Sequence, residues 1–212
     1  MSITSSKVIE ILNRIDDVMK ENKQFLTDLD AAIGDGDHGI NMNRGFNAVR
    51  EKLKTNTSNK IGDIFKVVGM TLVATVGGAS GPLYGTAFMK AAVVVQNNEA
   101  LDINDLLKVM EAALEGIMYR GKAQAGEKTM LDVIIPAINA LKVGISENKK
   151  TVDILFDVKE AAKAGVEYTK TIIATKGRAS YLGDRSISHQ DPGATSSYLM
   201  LNVIYEEIKK LQ

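Results

Sequence analysis

Three aspartates, Asp30, Asp35 and Asp37, stand five and two residues apart in a stretch punctuated by Gly34, Gly36 and Gly39. On one continuous helix that spacing would point the carboxylates to different faces, so the set is expected on a loop. The glycines let the backbone curl until three carboxylates face a common centre. Carboxylates so gathered repel one another, and a divalent cation is the usual remedy. Oxygen-only ligands, in a chain without a single cysteine, favour magnesium over zinc or copper. Magnesium held by few protein ligands completes its octahedron with water and substrate phosphates, and this points to a grip on nucleotide phosphates. A calcium EF-hand does not fit, because counting from Asp35 its diagnostic positions hold Gly39, Ile40 and Phe46. The plain alternative is a solvated acidic turn with a capping aspartate. Against it stand His38, Asn41 and Asn43, polar groups spread over the start of a helix whose positive end would welcome an anion.

Three further glycine-rich breaks carry candidate chemistry. Residues 77–85 (GGASGPLYG) offer backbone N–H groups and the Ser80 hydroxyl just before a helix with Pro82 near its first turn. The segment lacks the lysine of a P-loop, and by itself it reads as a turn. Residues 121–130 (GKAQAGEKTM) contain Lys122 and Lys128, which suit either phosphate or solvent, and Met130, an apolar residue able to cover a base. Residues 177–193 end in Asp191, Pro192 and Gly193, which with Ala194, Thr195 and Ser196 read first as a helix N-terminus capped by Asp191 or Thr195. Arg178 and Arg185 in the same break could meet phosphate or an acidic partner surface, although lone arginines are usually solvated.

The elements that must position these breaks are helices. Val8, Ile11, Leu12, Ile15, Val18 and Met19 recur at spacings of three and four, as do Ile61, Ile64, Phe65, Val68 and Leu72. The pattern returns at Ile103, Leu106, Leu107, Met110, Leu114 and Ile117, with Asp102 as a natural N-cap. Further helices are predicted at about 42–54, 83–97, 129–143, 151–175 and 194–210, with Pro136 kinking or breaking the second-half helix that contains it. Val93, Val94 and Val95 are β-branched but lack flanking turn signals, so no sheet is expected. The fold class is therefore all-α with seven or eight helices, and one domain over residues 1–212 is the expectation, since no stretch reads as a linker. In a bundle, loops can gather at an end of the helices and form one site.

Composition narrows the functions. Lys plus Arg (26) balance Asp plus Glu (26), so no electrostatic footprint for nucleic acid or an acidic membrane surface exists. The absence of cysteine excludes disulfides and thiol nucleophiles. The start, MSITSSKVIEIL, lacks the features of a secretion signal, and no run approaches the ~20 apolar residues of a membrane span. A cytoplasmic protein is expected.

Taken in order, GDGDHGINMNRGF, GMTL with VGGASGPLYGT, RGKAQAGEKTMLDV and KGRASYLGDRSISHQDPGATS resemble the nucleotide-binding L subunit of dihydroxyacetone kinase. The resemblance implies a barrel of eight antiparallel amphipathic helices with the nucleotide in loops at one end. It implies that Asp30, Asp35 and Asp37 hold two magnesium ions bridging to the diphosphate of ADP or ATP. It implies phosphate contacts at His38, Gly39, Ile40, Asn41, Ala79 and Ser80, and a nucleoside surround of Gly121, Met130, Arg178, Asp191, Pro192 and Gly193. A separate chain of this length is similar to the phosphotransferase-system form of the family rather than the fused ATP-dependent kinases. In that form bound ADP is recharged by a phosphohistidine-carrying M subunit, and the γ-phosphate passes to dihydroxyacetone held on a K subunit. No catalytic residue is assigned on this chain, and a base for the substrate hydroxyl is expected from the partner. The alternative activities are an ATP-dependent dihydroxyacetone kinase, a fatty-acid kinase sharing the aspartate loop, and a nucleotide-sensing module acting on a transcriptional regulator.

Overall fold

The computed structural model describes residues 1–211. Among them the chain is helical almost throughout: nine α-helices, one 3-10 helix and a single two-stranded sheet. The sheet pairs β1 (Ile3–Thr4) antiparallel with β2 (Ala100–Leu101), a short clasp that the sequence did not signal. The chain folds into two compact units, each built from two separate stretches.

The first unit comprises Met1–Lys20 with Asn41–Lys122. It carries most of α1 (Ser5–Glu21), most of α3 (His38–Leu53), and the whole of α4 (Ile61–Thr75), α5 (Ser80–Val94) and α6 (Ile103–Gly121). The apolar stripe of α1 is buried from Val8 to Met19, and that of α4 from Ile61 to Leu72, as the periodicity predicts. Removing such stripes from water is the main driving term for helices this short. The connection from Thr75 to Ser80 is short enough that α4 and α5 must turn back and pack on each other. Asp102 caps α6, accepting from the N–H groups of Asn104 and Asp105, and Asp105 reaches back to complete a capping box. The α6 stripe differs from expectation: only Met110, Gly116 and Ile117 are buried, because within this unit the helix packs chiefly against α5. Val93 and Val94 lie in the last turn of α5, both exposed, so the helix carries them despite their β-preference.

The second unit comprises Glu21–Ile40 and the chain from Ala123 onward. It contains α2 (Lys23–Ile33), α7 (Leu131–Ser146), α8 (Thr151–Thr169), the 3-10 helix Arg178–Ser186 and α9 (Pro192–Lys209). Helices α7, α8 and α9 pack on one another, and α2 lies against α9 and the 3-10 helix. Pro136 sits inside α7 without ending it. Its missing N–H frees the carbonyl of Asp132 one turn earlier, and there α8 comes so close that a Cβ on Gly165 would lie 2.2 Å from that oxygen. Helix α2 is absent from the sequence reading, whose bounds also place α3 and α5 too late and carry α8 too far. Among the described residues no helix is long and apolar enough to cross a membrane.

Candidate functional site

The aspartates divide between two kinds of backbone. Asp30 belongs to the last turn of α2, which corrects the expectation of a common loop, while Asp35 and Asp37 occupy the connection to α3. One carboxylate oxygen from each lies within 4.8 Å of the others, with Asp30 buried, Asp35 exposed and Asp37 partly buried. Asp30 Oδ2 accepts from the backbone N–H groups of Asp37 (2.9 Å) and His38 (3.1 Å), so it anchors the start of α3 from the preceding helix. That leaves Oδ1 beside Gly34, where a Cβ would stand 2.1 Å from it; no larger residue fits there without moving the carboxylate. Gly36, at φ +72°, makes the reversal that brings Asp35 and Asp37 to the same side.

Asp35 Oδ2 pairs with Arg178 Nη2 at 2.8 Å. A small apolar contact of Ile33, Ala174, Ala179 and Leu182 seats the 3-10 helix on the end of α2 and sets that approach. The donor set suits magnesium: three carboxylates, with no nitrogen or sulfur ligand among them. Helix geometry leaves the first N–H groups of α3, those of Gly39 and Ile40, without intrahelical acceptors beside the cluster. The arrangement can hold a cation and receive an anion side by side.

His38 is buried and cannot act as a mobile cation. Its Nε2 lies 2.9 Å from Ser196 Oγ in α9, and its ring also bonds the Pro192 carbonyl. Burial pushes its pKa down to about 4, against the pull of Asp30 and Asp37, so the imidazole is neutral at pH 7 and ties residue 38 to α9 within the second unit.

Asp191 caps α9 by accepting from Ala194 N–H at 2.6 Å, with Pro192 at the first helical position. Burial raises its carboxyl to about 7, although the Ala194 N–H and nearby Lys128 favour the charged form. Gly193 faces Met130: a Cβ there would sit 3.9 Å from the Met130 Cβ. The 123–130 segment is held by Asp132, whose two oxygens accept from Gly126 N–H (2.5 Å) and Thr129 N–H (2.9 Å). Lys128, ambiguous in sequence, is 1% exposed with its ammonium on backbone carbonyls. Sequence reasoning missed Asp132, Thr169 and the partnership of His38 with Ser196; only Asp132 had a signal, as an acid in the first turn of a helix.

The remaining predicted residues lie in the first unit. Asn41 is buried, accepts on Oδ1 from Arg44 Nη2 at 2.7 Å, and faces Gly77, where a Cβ would meet its amide at 3.1 Å. Ala79 and Ser80 open α5, following Gly78 at φ +64°. Gly121 ends α6, facing Leu83 of α5.

Residues 32–206 match the family described as the DAK2 domain. The chain belongs to the DAK2 family. Among DAK2 relatives it is 51% identical to the Listeria innocua protein named PEP-dependent dihydroxyacetone kinase 1, ADP-binding subunit DhaL, over 92% of each chain. It is 43% identical to the corresponding DhaL subunit of Escherichia coli, over 96% of this chain and 97% of that one. The fold resembles the crystal structure of the dihydroxyacetone kinase from C. freundii in complex with AMP-PNP and Mg2+, with a TM-score of 0.74 at 22% identity. That likeness covers 97% of this chain and 34% of the longer one.

Proposed function

We propose that this chain is the ADP-binding subunit of a phosphoenolpyruvate-dependent dihydroxyacetone kinase. The observation that carries this reading is the gathering of Asp30, Asp35 and Asp37 within 4.8 Å at the start of α3. It is supported by the names of relatives that share 43% and 51% of the sequence over nearly the full chain. On this reading Asp30, Asp35 and Asp37 hold two magnesium ions, which when bound supply neutralisation of phosphate charge. A structure of the same fold, crystallised with AMP-PNP and Mg2+, supports a nucleotide with magnesium as the ligand of this donor set.

The chain's own residues bind and orient. Asp30 keeps one oxygen on the α3 N–H groups and presents the other, so its carboxylate is aimed before any ligand arrives. Asp35 exchanges its surface pairing with Arg178 for the ligand. The N–H groups of Gly39 and Ile40 donate to phosphate oxygens, while the neutral, buried His38 ring fixes the helix that carries them. Asn41, Ala79 and Ser80 are proposed as further phosphate contacts, and Gly121, Met130, Arg178, Asp191, Pro192 and Gly193 as the nucleoside surround. No proton transfer is assigned to this chain, because its one site imidazole is committed to Ser196 and Pro192. The substrate base therefore falls to a dihydroxyacetone-binding K subunit, and the phosphoryl donor is a phosphohistidine-carrying M subunit. The same proposal includes a cytoplasmic setting, one functional domain over residues 1–212 and the eight-helix barrel of the family. Gln212 lies outside the described residues.

The test is reconstitution. Mixed with K and M subunits, the chain should support dihydroxyacetone phosphate formation that depends on phosphoenolpyruvate. Rapid turnover on ATP without an M subunit would reassign it to the ATP-dependent kinases. Failure to retain ADP in the presence of magnesium would sink the reading altogether.

A further inference from the structure

Lys128 is the least expected residue of the second unit. It adopts a left-handed backbone at φ +61°, a conformation rare for a side-chain-bearing residue, and this turns its side chain into the protein. The residue is 1% exposed; burial works against its charge, and the Asp191 carboxyl favours it. Its ammonium donates instead to three backbone carbonyls: Thr169 at the end of α8, Ile172 (3.4 Å) in the turn beyond it, and His189 (2.5 Å) ahead of α9. Burying an ammonium costs several kcal/mol unless its protons are all satisfied, so the group stays only where geometry is well determined. The end of α8 suits it, because the last carbonyls of a helix carry partial negative charge.

The bonds continue from there to the start of α9. Thr169, itself fully buried, donates its hydroxyl to the Val166 carbonyl and accepts Asp191 N–H on Oγ1 at 3.0 Å. Asp191 in turn caps Ala194 N–H. On the other side Lys128 stands two residues before Met130, on a segment already braced by Asp132. One ammonium thus joins the segment bearing Met130 to the segment bearing Asp191, Pro192 and Gly193 through direct bonds on three backbone stretches.

We propose that Lys128 is the positioning residue for the nucleoside end of the site: it holds Met130 and Asp191–Gly193 from behind without touching the ligand. This inference rests on the nucleotide reading given above and adds a residue which that reading leaves without a role. A structural bolt would weaken everything that binds to this unit. A positioning residue for the nucleoside would weaken ADP and spare a ligand that lacks the nucleoside.

Calorimetric titration of the full chain with ADP plus magnesium, and separately with pyrophosphate plus magnesium, separates the two. Lys128→Met should lose at least about tenfold in ADP affinity, the size of one well-placed contact, with pyrophosphate changed by no more than about twofold. Thr169→Val, which removes the acceptor for Asp191 N–H together with the hydroxyl's bond to Val166 and leaves the Thr169 carbonyl on Lys128, should reproduce the selective loss and decides the matter if Lys128→Met does not fold. Lys128→Arg, which restores the charge, should recover part of the ADP affinity. Equal losses for both ligands, or no loss of ADP affinity in either variant, would overturn the proposal. If the unaltered chain binds neither ligand, it is the nucleotide reading that fails, and the two failures are thereby distinct.

Discussion

Two acidic groups of the second unit use the same side chain for opposite ends. Asp35 and Asp37 stand on a loop, exposed and partly exposed, and Asp35 pairs with the exposed Arg178. Asp132 holds the backbone N–H groups of Gly126 and Thr129 on both sides of Lys128, and Asp191 holds that of Ala194, so each is tied to the course of the chain. Charge left half-satisfied at the surface is available to a ligand, whereas charge satisfied in the interior specifies where the chain must go. Asp30 belongs to both classes, with one oxygen on the start of α3 and the other beside its fellow carboxylates.

The sharpest way to break this division is to remove the loop pair. Asp35→Ala with Asp37→Ala should abolish magnesium-dependent ADP retention, a loss of more than about a hundredfold or 2.7 kcal/mol. Thermal stability should move by less than about 1 kcal/mol, since surface carboxylates near one another contribute little to folding. Asp30→Ala should lose ADP as well and also cost about 1–2 kcal/mol, the usual effect of removing a cap from a helix start. Isothermal calorimetry and thermal melts read both quantities. A stability loss in the loop double variant as large as that of Asp30→Ala would erase the distinction.

The interior group answers in the reverse order. Lys128→Met leaves carbonyls of Thr169, Ile172 and His189 without their donor, and should cost about 1–3 kcal/mol. For a chain of this size that lowers the melting temperature by roughly 2–4 °C per kcal/mol. A melt unchanged by this substitution would show that the cage is not a stabilising feature.

His38 and Asp191 sharpen the comparison through pH. The folded pKa of His38, about 4, lies below its ordinary 6.5, so the unfolded chain takes the proton first and stability falls as pH drops from 6.5 towards 4. The folded pKa of Asp191, about 7, lies above its ordinary 3.8, so the folded chain takes the proton first and stability falls as pH rises from 3.8 towards 7. The two slopes oppose each other between about 4 and 6.5. Asp191→Asn, which keeps a capping side chain, should unmask the acid loss due to His38; His38→Gln should unmask the loss towards neutral pH due to Asp191. Urea midpoints across that range measure this, and identical profiles for the two variants would show that neither group titrates as described.

What the sequence made legible follows from how local each feature is. Asp35 and Asp37 could be read because their spacing and the intervening Gly36 fix a loop within three residues. The stripes of α1 and α4 could be read because each repeats on its own helix. Helix α2 could not, since KQFLTDLDAAI buries only Leu26, Asp30 and Ile33 and shows no sustained apolar face. The meeting of His38 with Ser196 spans 158 positions, and the cage of Lys128 is made of carbonyls, which every residue has. Backbone acceptors leave no mark on side-chain identity, so a site built from them becomes visible only once the helices end where they do.

The smallest effect tests the loop pair where it borders its neighbour. Arg178 and Asp35 are 64% and 35% exposed at their side chains, so their 2.8 Å pair contributes no more than about 1 kcal/mol and is screened by salt. In the absence of nucleotide the guanidinium and a magnesium ion compete for the same Asp35 oxygen. Arg178→Ala should therefore bind magnesium alone up to about fivefold more tightly, with the gain shrinking as salt is raised. With ADP present the sign should reverse, because the arginine freed from Asp35 is then a contact of the nucleotide rather than a rival of the metal. Titrating the variant with magnesium, first alone and then with ADP, reads both signs on one sample. An unchanged magnesium affinity would mean that Arg178 does not hold Asp35 in solution, and that the carboxylates stand open to the metal without any exchange.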